Sequence, residues 1–131
     1  APHFLFPALV QRVRAARTSP GTGVPIGNLE TVRDFLHVED VVGAYIALAN
    51  GGRVGEVYNV CSGDGASVGQ IATEVLTRAG VKGPLVPDPA LRRAVDVPHL
   101  VGNNSKLCAD TGWAPTRTRT DIIDDLLNAA P

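Results

Sequence analysis

The sequence of 131 residues has no methionine, only two cysteines and almost balanced charge. Twelve basic and thirteen acidic side chains give a formal net charge of −1, so no broad basic surface is available for a nucleic-acid backbone. Cys61 and Cys108 have neither a CxxC partner nor a nearby histidine pair. We therefore expect two reduced thiols, with no metal site and no disulfide framework.

Long hydrophobic runs are missing as well. No apolar stretch approaches the roughly 20 residues that cross a bilayer, and the first residues lack the basic region of a secretion signal. We therefore expect a soluble, cytoplasmic protein without a membrane partner. The chain opens directly into a helical pattern, which together with the missing methionine indicates a piece of a longer protein. Removal of an initiator methionine before Ala1 would give the same sequence.

The residues that are present suit one globular domain over 1–131, with 44% hydrophobic side chains. Ser67 and Gln70 have the spacing of a capping box, and Gly80 lies where a helix-ending glycine would. Apolar periodicity predicts helices over residues 3–17, 38–50, 67–80, 103–113 and 119–130, and short strands over 24–27, 55–62 and 84–89. Asn104 is expected to begin the fourth helix, and Thr118 or Thr120 the fifth. This alternation predicts a small mixed α/β domain of about five helices and three or four strands.

Two glycine clusters are candidates for phosphate-binding loops. Residues 21–27, "GTGVPIG", lead into a strand with a proline, whereas a dinucleotide loop must lead into a helix. Residues 62–69, "SGDGASVG", do precede a helix, and Asp88 follows as a possible ribose ligand. The negative charge of Asp64 and the GxGxxxG spacing favour an ordinary strand-to-helix turn there, with a dinucleotide site as the alternative.

Catalytic groups are not evident in the sequence. Short-chain dehydrogenase chemistry needs a tyrosine four residues before a lysine, which lowers the pKa of the tyrosine. Tyr45 is followed at that distance by Ala49, and Tyr58 by Ser62. No GxSxG motif occurs, and no histidine has a ligand or nucleophile at a recognised spacing. We assign no catalytic residue and interpret His37 as a packed, hydrogen-bonded side chain.

Two arginines are the remaining candidates for a ligand site. Arg33 and Arg93 each lie between a loop and an apolar segment, where a guanidinium can bind phosphate oxygens through paired N–H groups. Taken alone, each arginine is more simply the partner of a nearby carboxylate. The candidates are Asp34 or Asp40 for Arg33, and Asp96 for Arg93. The spacing along the sequence does not show whether each arginine binds a ligand or pairs with a carboxylate of this chain.

Four stretches in fixed order carry a family resemblance: "GNLETVRDFLHVEDVVGAYIALA", "GEVYNVCSG", "LRRAVDVPHLVGNNSKL" and "TGWAPT". They resemble the C-terminal half of the extended short-chain dehydrogenase/reductase family of nucleotide-sugar epimerases, dehydratases and reductases. Within that family the likeness is greatest to the GDP-mannose 4,6-dehydratase and GDP-6-deoxy-4-keto-mannose reductase branch. The resemblance runs from about Pro2 to Leu127. It implies the C-terminal portion of an extended Rossmann-type enzyme without its dinucleotide-binding sheet.

The resemblance also implies roles for single residues. Arg33 and Arg93 would hold the pyrophosphate of a nucleotide sugar, with Asn28 near the nucleotide. Ala94 stands where the family usually has a proline, so the choice between Arg92 and Arg93 is less secure.

Several acidic groups and a histidine would support this site. The resemblance implies that Asp34, His37 and Asp40 orient the first arginine and begin a helix. Asp96 would hold Arg93 or cap its loop. Trp113, in the "GW.P" turn, is expected in the core.

The predicted function follows from the resemblance. The chain would be the substrate-binding portion of an NAD(P)-dependent nucleotide-sugar epimerase, dehydratase or reductase, acting on a GDP-hexose. It would bind no cofactor itself, whereas the intact enzyme would use NAD(P), and it would not be catalytically competent alone. The alternative is a stand-alone, non-catalytic nucleotide-sugar-binding or dimerisation domain, which could form a homo-oligomer through exposed apolar surface.

Overall fold

The structure is a computed structural model that describes residues 4–19, 21, 23–92 and 96–129. Arg93 and Ala94 lie outside the described residues. The helices are α1 (Leu5–Thr18), α2 (Val38–Gly51), α3 (Val68–Arg78), α4 (Ser105–Thr111) and α5 (Arg119–Asn128), with a 3-10 helix at Pro89–Leu91. The strands are β1 (Val24–Ile26), β2 (Val32–Asp34), β3 (Gly65–Ser67), β4 (Leu85–Pro87) and β5 (His99–Leu100). The predicted α/β class is confirmed.

The strands form two small sheets. β1 pairs in parallel with β4, from Val24 opposite Leu85 to Ile26 opposite Pro87. β2 is the centre of the other sheet, antiparallel to β3 and parallel to β5. In this register Arg33 lies opposite Ala66 on one side and Leu100 on the other. The sheet therefore fixes the backbone of Arg33 from both sides.

A hydrophobic core forms where α1, α3 and α5 pack together and onto β1. Its innermost side chains come from all four elements and are fully buried: Leu9, Val13, Val24, Ile26, Ile71, Val75 and Ile123. The ring of Phe6 on α1 meets that of Phe35, just after β2, edge to face with centroids 4.6 Å apart. This ring pair ties α1 to the strand that carries Arg33.

The predicted helix ends of α3 and α5 are confirmed. Ser67 and Gln70 form the capping box of α3, and Gly80 follows the helix with a φ of +66°. Thr118 precedes the first residue of α5 and forms a second capping box with Asp121. Asn104 lies at the N-cap of α4 without capping it, because its Nδ2 donates to the carbonyl oxygens of Cys61 and Ser62.

The start of α2 is a buried polar cluster. His37, 5% exposed, is the N-cap: Nδ1 accepts from the Glu39 N–H at 3.2 Å, and Nε2 lies 3.0 Å from Oδ2 of Asp125. The prediction that His37 is packed and hydrogen-bonded is confirmed. Asp40, also 5% exposed, accepts from the N–H and hydroxyl of Thr116 and the N–H of Arg117. Burial raises the pKa of Asp40, but these hydrogen bonds outweigh burial and hold it below its ordinary value.

The predicted strand over residues 55–62 is wrong. Residues 56–60 join neither sheet. Side chains hold the segment against α4: Lys106 Nζ donates to the Val57 carbonyl at 2.9 Å, and the Tyr58 hydroxyl donates to Asp110 at 2.7 Å. A segment rich in β-branched and aromatic residues forms a β-strand only when a neighbouring strand pairs with it. The described part of the chain supplies no such neighbour there.

None of the described helices combines the length and apolarity needed to cross a membrane. Nor do the described residues contain a group of three or more His, Cys, Asp or Glu side chains that could hold a metal ion.

Candidate functional site

A cleft of about 610 Å³ lies between α1, β2 and the 3-10 helix. Its apolar wall includes Leu5, Ala8 and Ile26. Its polar lining comes from separate parts of the chain: Arg12, Asn28, Thr31, Arg33, Arg92 and Asp96. Two predicted site residues, Arg33 and Asn28, are thus brought together in one cleft. Arg93 lies outside the described residues, although its neighbour Arg92 lines the same cleft.

The guanidinium of Arg33 is held in one orientation. Nη1 donates to the carbonyl oxygens of Val32 and Val97, each at 2.7 Å, and Nη2 donates to Oδ1 of Asp96 at 2.5 Å. The side chain is 21% exposed. Three of the five N–H donors of a guanidinium are used by these contacts. The described residues offer no acceptor to the other two.

The carboxylate that pairs with Arg33 is not one of those predicted. Asp34 and Asp40 were the candidates for Arg33, and Asp96 was assigned to Arg93. In the structure Asp96 pairs with Arg33, and its Oδ2 accepts from the hydroxyl of Thr31 at 3.0 Å. Both carboxylate oxygens of Asp96 are therefore engaged within the chain, so Asp96 acts as a positioning residue for Arg33.

Asp34 does not orient Arg33, contrary to the expectation. Neighbouring residues of a strand point to opposite faces, so the two side chains diverge. The carboxylate of Asp34 accepts from the N–H and hydroxyl of Ser62 and from the N–H groups of Gly63 and Gly102, at 2.5–3.1 Å. It thereby joins β2 to two loops.

The contacts of Asp34 also determine what the glycine-rich segment 62–69 can bind. Two of its backbone N–H groups, at Ser62 and Gly63, point to an internal carboxylate, which occupies the place a phosphate would need. Asp88, the possible ribose ligand, instead caps the 3-10 helix by accepting from the Ala90 N–H at 2.9 Å. The segment is an ordinary turn, as the sequence favoured, and these residues do not fit a dinucleotide.

Asn28 is exposed and lies in the turn between β1 and β2. Its Oδ1 accepts from the Glu30 N–H at 3.1 Å, which closes a local turn. This contact fixes the amide group and leaves the two Nδ2 hydrogens as donors at the rim of the cleft.

Arg12 and Arg92 also line the cleft, although the sequence analysis did not assign Arg12. Nη1 of Arg12 donates to the Pro25 carbonyl at 3.3 Å, which anchors the side chain over β1. Arg92 is exposed at the end of the 3-10 helix.

The charges of the cleft do not balance. Among the described lining residues are three arginines, Arg12, Arg33 and Arg92, against the single carboxylate of Asp96. Two positive charges are therefore uncompensated beside an apolar wall. Guanidinium groups bind phosphate oxygens through paired N–H groups, so the arrangement suits an anion of about two negative charges with an apolar or planar extension.

A family model and two curated relatives match most of this chain. The family model described as GDP-mannose 4,6 dehydratase matches residues 2–126. The GDP-6-deoxy-D-mannose reductase of Pseudomonas aeruginosa is 37% identical over 103 residues, which cover 79% of this chain and 34% of that protein. A UDP-glucose 4-epimerase of Corynebacterium glutamicum is 31% identical over 109 residues, 80% of this chain and 32% of the relative.

Solved structures extend the likeness to the fold. The structure of RMD from Pseudomonas aeruginosa complexed with NADPH superposes with a TM-score of 0.84 and 29% identity, covering 97% of this chain and 42% of that one. A putative epimerase from Burkholderia cenocepacia gives a TM-score of 0.78 at 30% identity, with 98% of this chain and 43% of that one covered. This chain spans about a third of the length of the curated relatives it matches.

Proposed function

The chain belongs to the GDP-mannose 4,6-dehydratase family, and on that premise we propose that its cleft binds the diphosphate of a nucleotide sugar. The observation that carries the proposal is the convergence of Arg33, Asn28 and Arg92 on one cleft, although they are separated along the chain. Arg93, next to Arg92, is the second arginine we propose for the diphosphate. A diphosphate offers the two negative charges that this lining lacks.

Fixed donors favour binding of such a ligand. Because Arg33 is already oriented by Asp96 and by two carbonyl oxygens, little side-chain entropy remains to be lost when an anion binds. Asn28 is fixed in the same way by its local turn. In our proposal Arg33 binds one phosphate through its free donors, while the Asn28 amide donates toward the nucleotide.

We propose a GDP-hexose as the ligand. The Pseudomonas aeruginosa reductase, named for a GDP sugar, is 37% identical, and three UDP-glucose 4-epimerases are 28–36% identical, so identity alone does not separate the two nucleotides. The family model, which is named for GDP-mannose and matches residues 2–126, supports guanine over uracil.

In the proposed whole enzyme the work is divided. NAD(P), held outside this chain, would exchange hydride with the sugar, and this chain would hold the nucleotide end and set specificity. Binding energy from the diphosphate, remote from the reacting carbon, positions the sugar for the reaction. The chain itself would supply binding and orientation rather than a catalytic residue.

The second candidate is a stand-alone domain that binds nucleotide sugars and dimerises. It is favoured by the large apolar side chains that α2 exposes, among them Tyr45 at 63% and Ile46 at 59%. The mass of the native gene product separates the two candidates, because an enzyme of this family would be about three times as long as the matched segment.

Isothermal titration with GDP, UDP and dTDP in turn tests the proposal. We expect GDP to bind most tightly and Arg33→Ala to weaken its binding. The control is Arg78→Ala, because Arg78 is paired with Asp124 on another surface. Equal titration curves for Arg33→Ala and the unaltered chain would refute the proposed diphosphate site.

A further inference from the structure

Arg12 lies at the apolar wall of the cleft, on a different element from the strand that carries Arg33. Leu5, Ala8 and Arg12 follow one another on α1 at intervals of three and four residues, so they share one face of the helix. All three line the cleft. The proposed diphosphate contacts use Arg33 and Arg93, and they give Arg12 no role.

The contact of Arg12 with β1 accounts for only part of its chemistry. The Val24 N–H and the Ile26 carbonyl bond toward the β4 side, so the Pro25 carbonyl points from the other edge of the strand. Nη1 of Arg12 donates to this carbonyl at 3.3 Å, and the side chain is half-buried. A lysine ammonium would be enough for one carbonyl, whereas a guanidinium carries five N–H donors in a planar fork.

Ala8 leaves room beside Arg12 for a flat group. Its side chain ends at Cβ, between Leu5 and Arg12 on the cleft face of α1. Ile26 adds an apolar side chain to the same lining from β1. A planar ring that lies against these apolar side chains buries its faces and turns its edge to the guanidinium. A nucleobase has this shape.

The polar groups described in the lining are mostly donors. The guanidinium groups of its three arginines carry no acceptor. Asp96, the one carboxylate among the described lining residues, already accepts from Arg33 and from Thr31. Oδ1 of Asn28 accepts an N–H within its own turn. A base in this cleft is therefore selected by the acceptors on its edge.

The common bases differ in the acceptors that they offer to a planar fork. Guanine and hypoxanthine present O6 and N7 side by side, and an arginine binds this pair of acceptors through two N–H groups. Adenine places an amino donor beside N7, which faces a guanidinium with a like group. Uracil offers O4 with no second acceptor next to it. Only the 6-oxopurines match the donors of Arg12 on this edge.

We propose that Arg12 is a specificity-determining residue that selects a 6-oxopurine base by donating to O6 and N7. This inference rests on the proposed nucleotide-sugar function and extends it, because it assigns the class of base and the side chain that distinguishes it. The amino group by which guanine differs from hypoxanthine is a donor, and the described lining is rich in donors. IDP is therefore accepted as readily as GDP.

A series of nucleotides provides the first test. The 131-residue chain is titrated by calorimetry with GDP, IDP, ADP, UDP and 7-deaza-GDP, in which a C–H replaces N7. We expect IDP to bind within about threefold of GDP, and the other three to bind about tenfold or more weakly, as for loss of a paired contact to a base edge. Equal binding of 7-deaza-GDP and GDP would overturn the contact with N7. Binding of UDP or ADP as tight as that of GDP would overturn the selection of a 6-oxopurine.

Substitutions of Arg12 provide the second test. Arg12→Lys keeps the charge and a donor for the Pro25 carbonyl but has no planar fork, so we expect it to retain the Tm and to lose most of the preference for GDP over UDP. Arg12→Ala should lose the same preference, with UDP binding little changed. The control is Arg14→Ala on the same helix, because Arg14 donates to the Leu126 and Ala129 carbonyls outside the described cleft lining. Full preference for GDP in Arg12→Lys would overturn the proposal.

Inorganic pyrophosphate separates this inference from the diphosphate site. It carries no base, so we expect Arg33→Ala to weaken its binding and Arg12→Lys to leave its binding unchanged. Binding of pyrophosphate and of every nucleotide with equal affinity would overturn the role of Arg12 and leave the diphosphate site intact. A chain that binds neither pyrophosphate nor any nucleotide would overturn both. If both Arg12 variants fail to fold, the comparison of GDP with 7-deaza-GDP on the unaltered chain still decides the proposal.

Discussion

Arg33 and Asp96, 63 residues apart in the chain, meet through a contact of 2.5 Å between Nη2 and Oδ1. Because Thr31 engages the other oxygen of Asp96, the carboxylate is fixed before any ligand arrives. The pair therefore sets the direction of the donors that Arg33 has left.

Arg33→Ala should weaken GDP binding by about 1.5–3 kcal/mol, the range for hydrogen bonds to charged groups. Arg33→Lys should recover only part of this loss, because an ammonium cannot form the paired bonds of a guanidinium. Isothermal titration measures both variants. A thermal unfolding scan shows whether the fold is retained, and Arg78→Ala controls for the loss of one positive charge. Full recovery by lysine would contradict a forked contact.

Arg92→Ala and Arg93→Ala decide which arginine is the second diphosphate ligand. We expect Arg93→Ala to weaken GDP binding by about 1.5–3 kcal/mol, and Arg92→Ala to have the smaller effect of an exposed, screened charge. The titration is repeated at high salt, where the contribution of a distant charge is reduced. The assignment would be reversed if Arg92→Ala caused the larger loss at both salt concentrations.

Asp96→Asn distinguishes positioning from simple charge. Removing the carboxylate makes the cleft more positive, so a purely electrostatic cleft would bind GDP more tightly. If Asp96 positions Arg33, GDP binding becomes weaker instead, and the substitution adds nothing in the Arg33→Ala background. A double-mutant cycle by titration measures this coupling. Tighter binding by Asp96→Asn alone would exclude the positioning role.

Gly27→Ala should distort the cleft by displacing the 3-10 helix. A Cβ atom there would lie 2.6 Å from the Leu91 carbonyl oxygen, so the 3-10 helix that carries Arg92 must shift. We expect a loss of 1–3 kcal/mol in the free energy of unfolding, about the cost of overpacking, together with weaker GDP binding. Gly23→Ala is the control, because its Cβ would meet Val86 and Pro84 outside the cleft lining. Equal effects of the two variants on binding would contradict the expectation.

Asp40 should make stability depend on acid pH. Its pKa is lower in the folded chain, so the stabilisation is present above the unfolded pKa near 3.8 and is lost as pH falls through the folded value. Asp40→Asn puts an amide opposite N–H donors and should cost about 1–3 kcal/mol at pH 7. Urea unfolding between pH 7 and pH 2 measures both effects. Asp64→Asn, at an 81% exposed side chain, is the control for lost charge.

Features that depend on residues close together in the sequence, such as helix caps, were predicted correctly. Ser67 and Gln70 are three residues apart and cap their own helix, so periodicity and spacing were sufficient. Arg33 lies in a strand of three residues, too short to show a period, and its partner comes from a distant loop. The strand predicted over 55–62 has the right composition, but pairing depends on a neighbour that a local pattern cannot reveal.

The site was partly accessible from the sequence. Arg33 and Asn28 were assigned through the family resemblance, and the structure groups them with Arg12, which only its packing across β1 reveals. The expected role of Asp34 was wrong because nearness in sequence was used for nearness in space, and the contact of Asp96 with Arg33 was not predicted.

The contacts of Asp34 have a practical consequence for protein engineering. Its carboxylate secures residues 62 and 63 and residue 102 at once, and Gly102 has no room for a side chain because a Cβ there would lie 2.4 Å from Sγ of Cys61. Anyone who grafts the 61–65 loop from a homologue into this scaffold must therefore transplant positions 34 and 102 with it, as a three-part cassette.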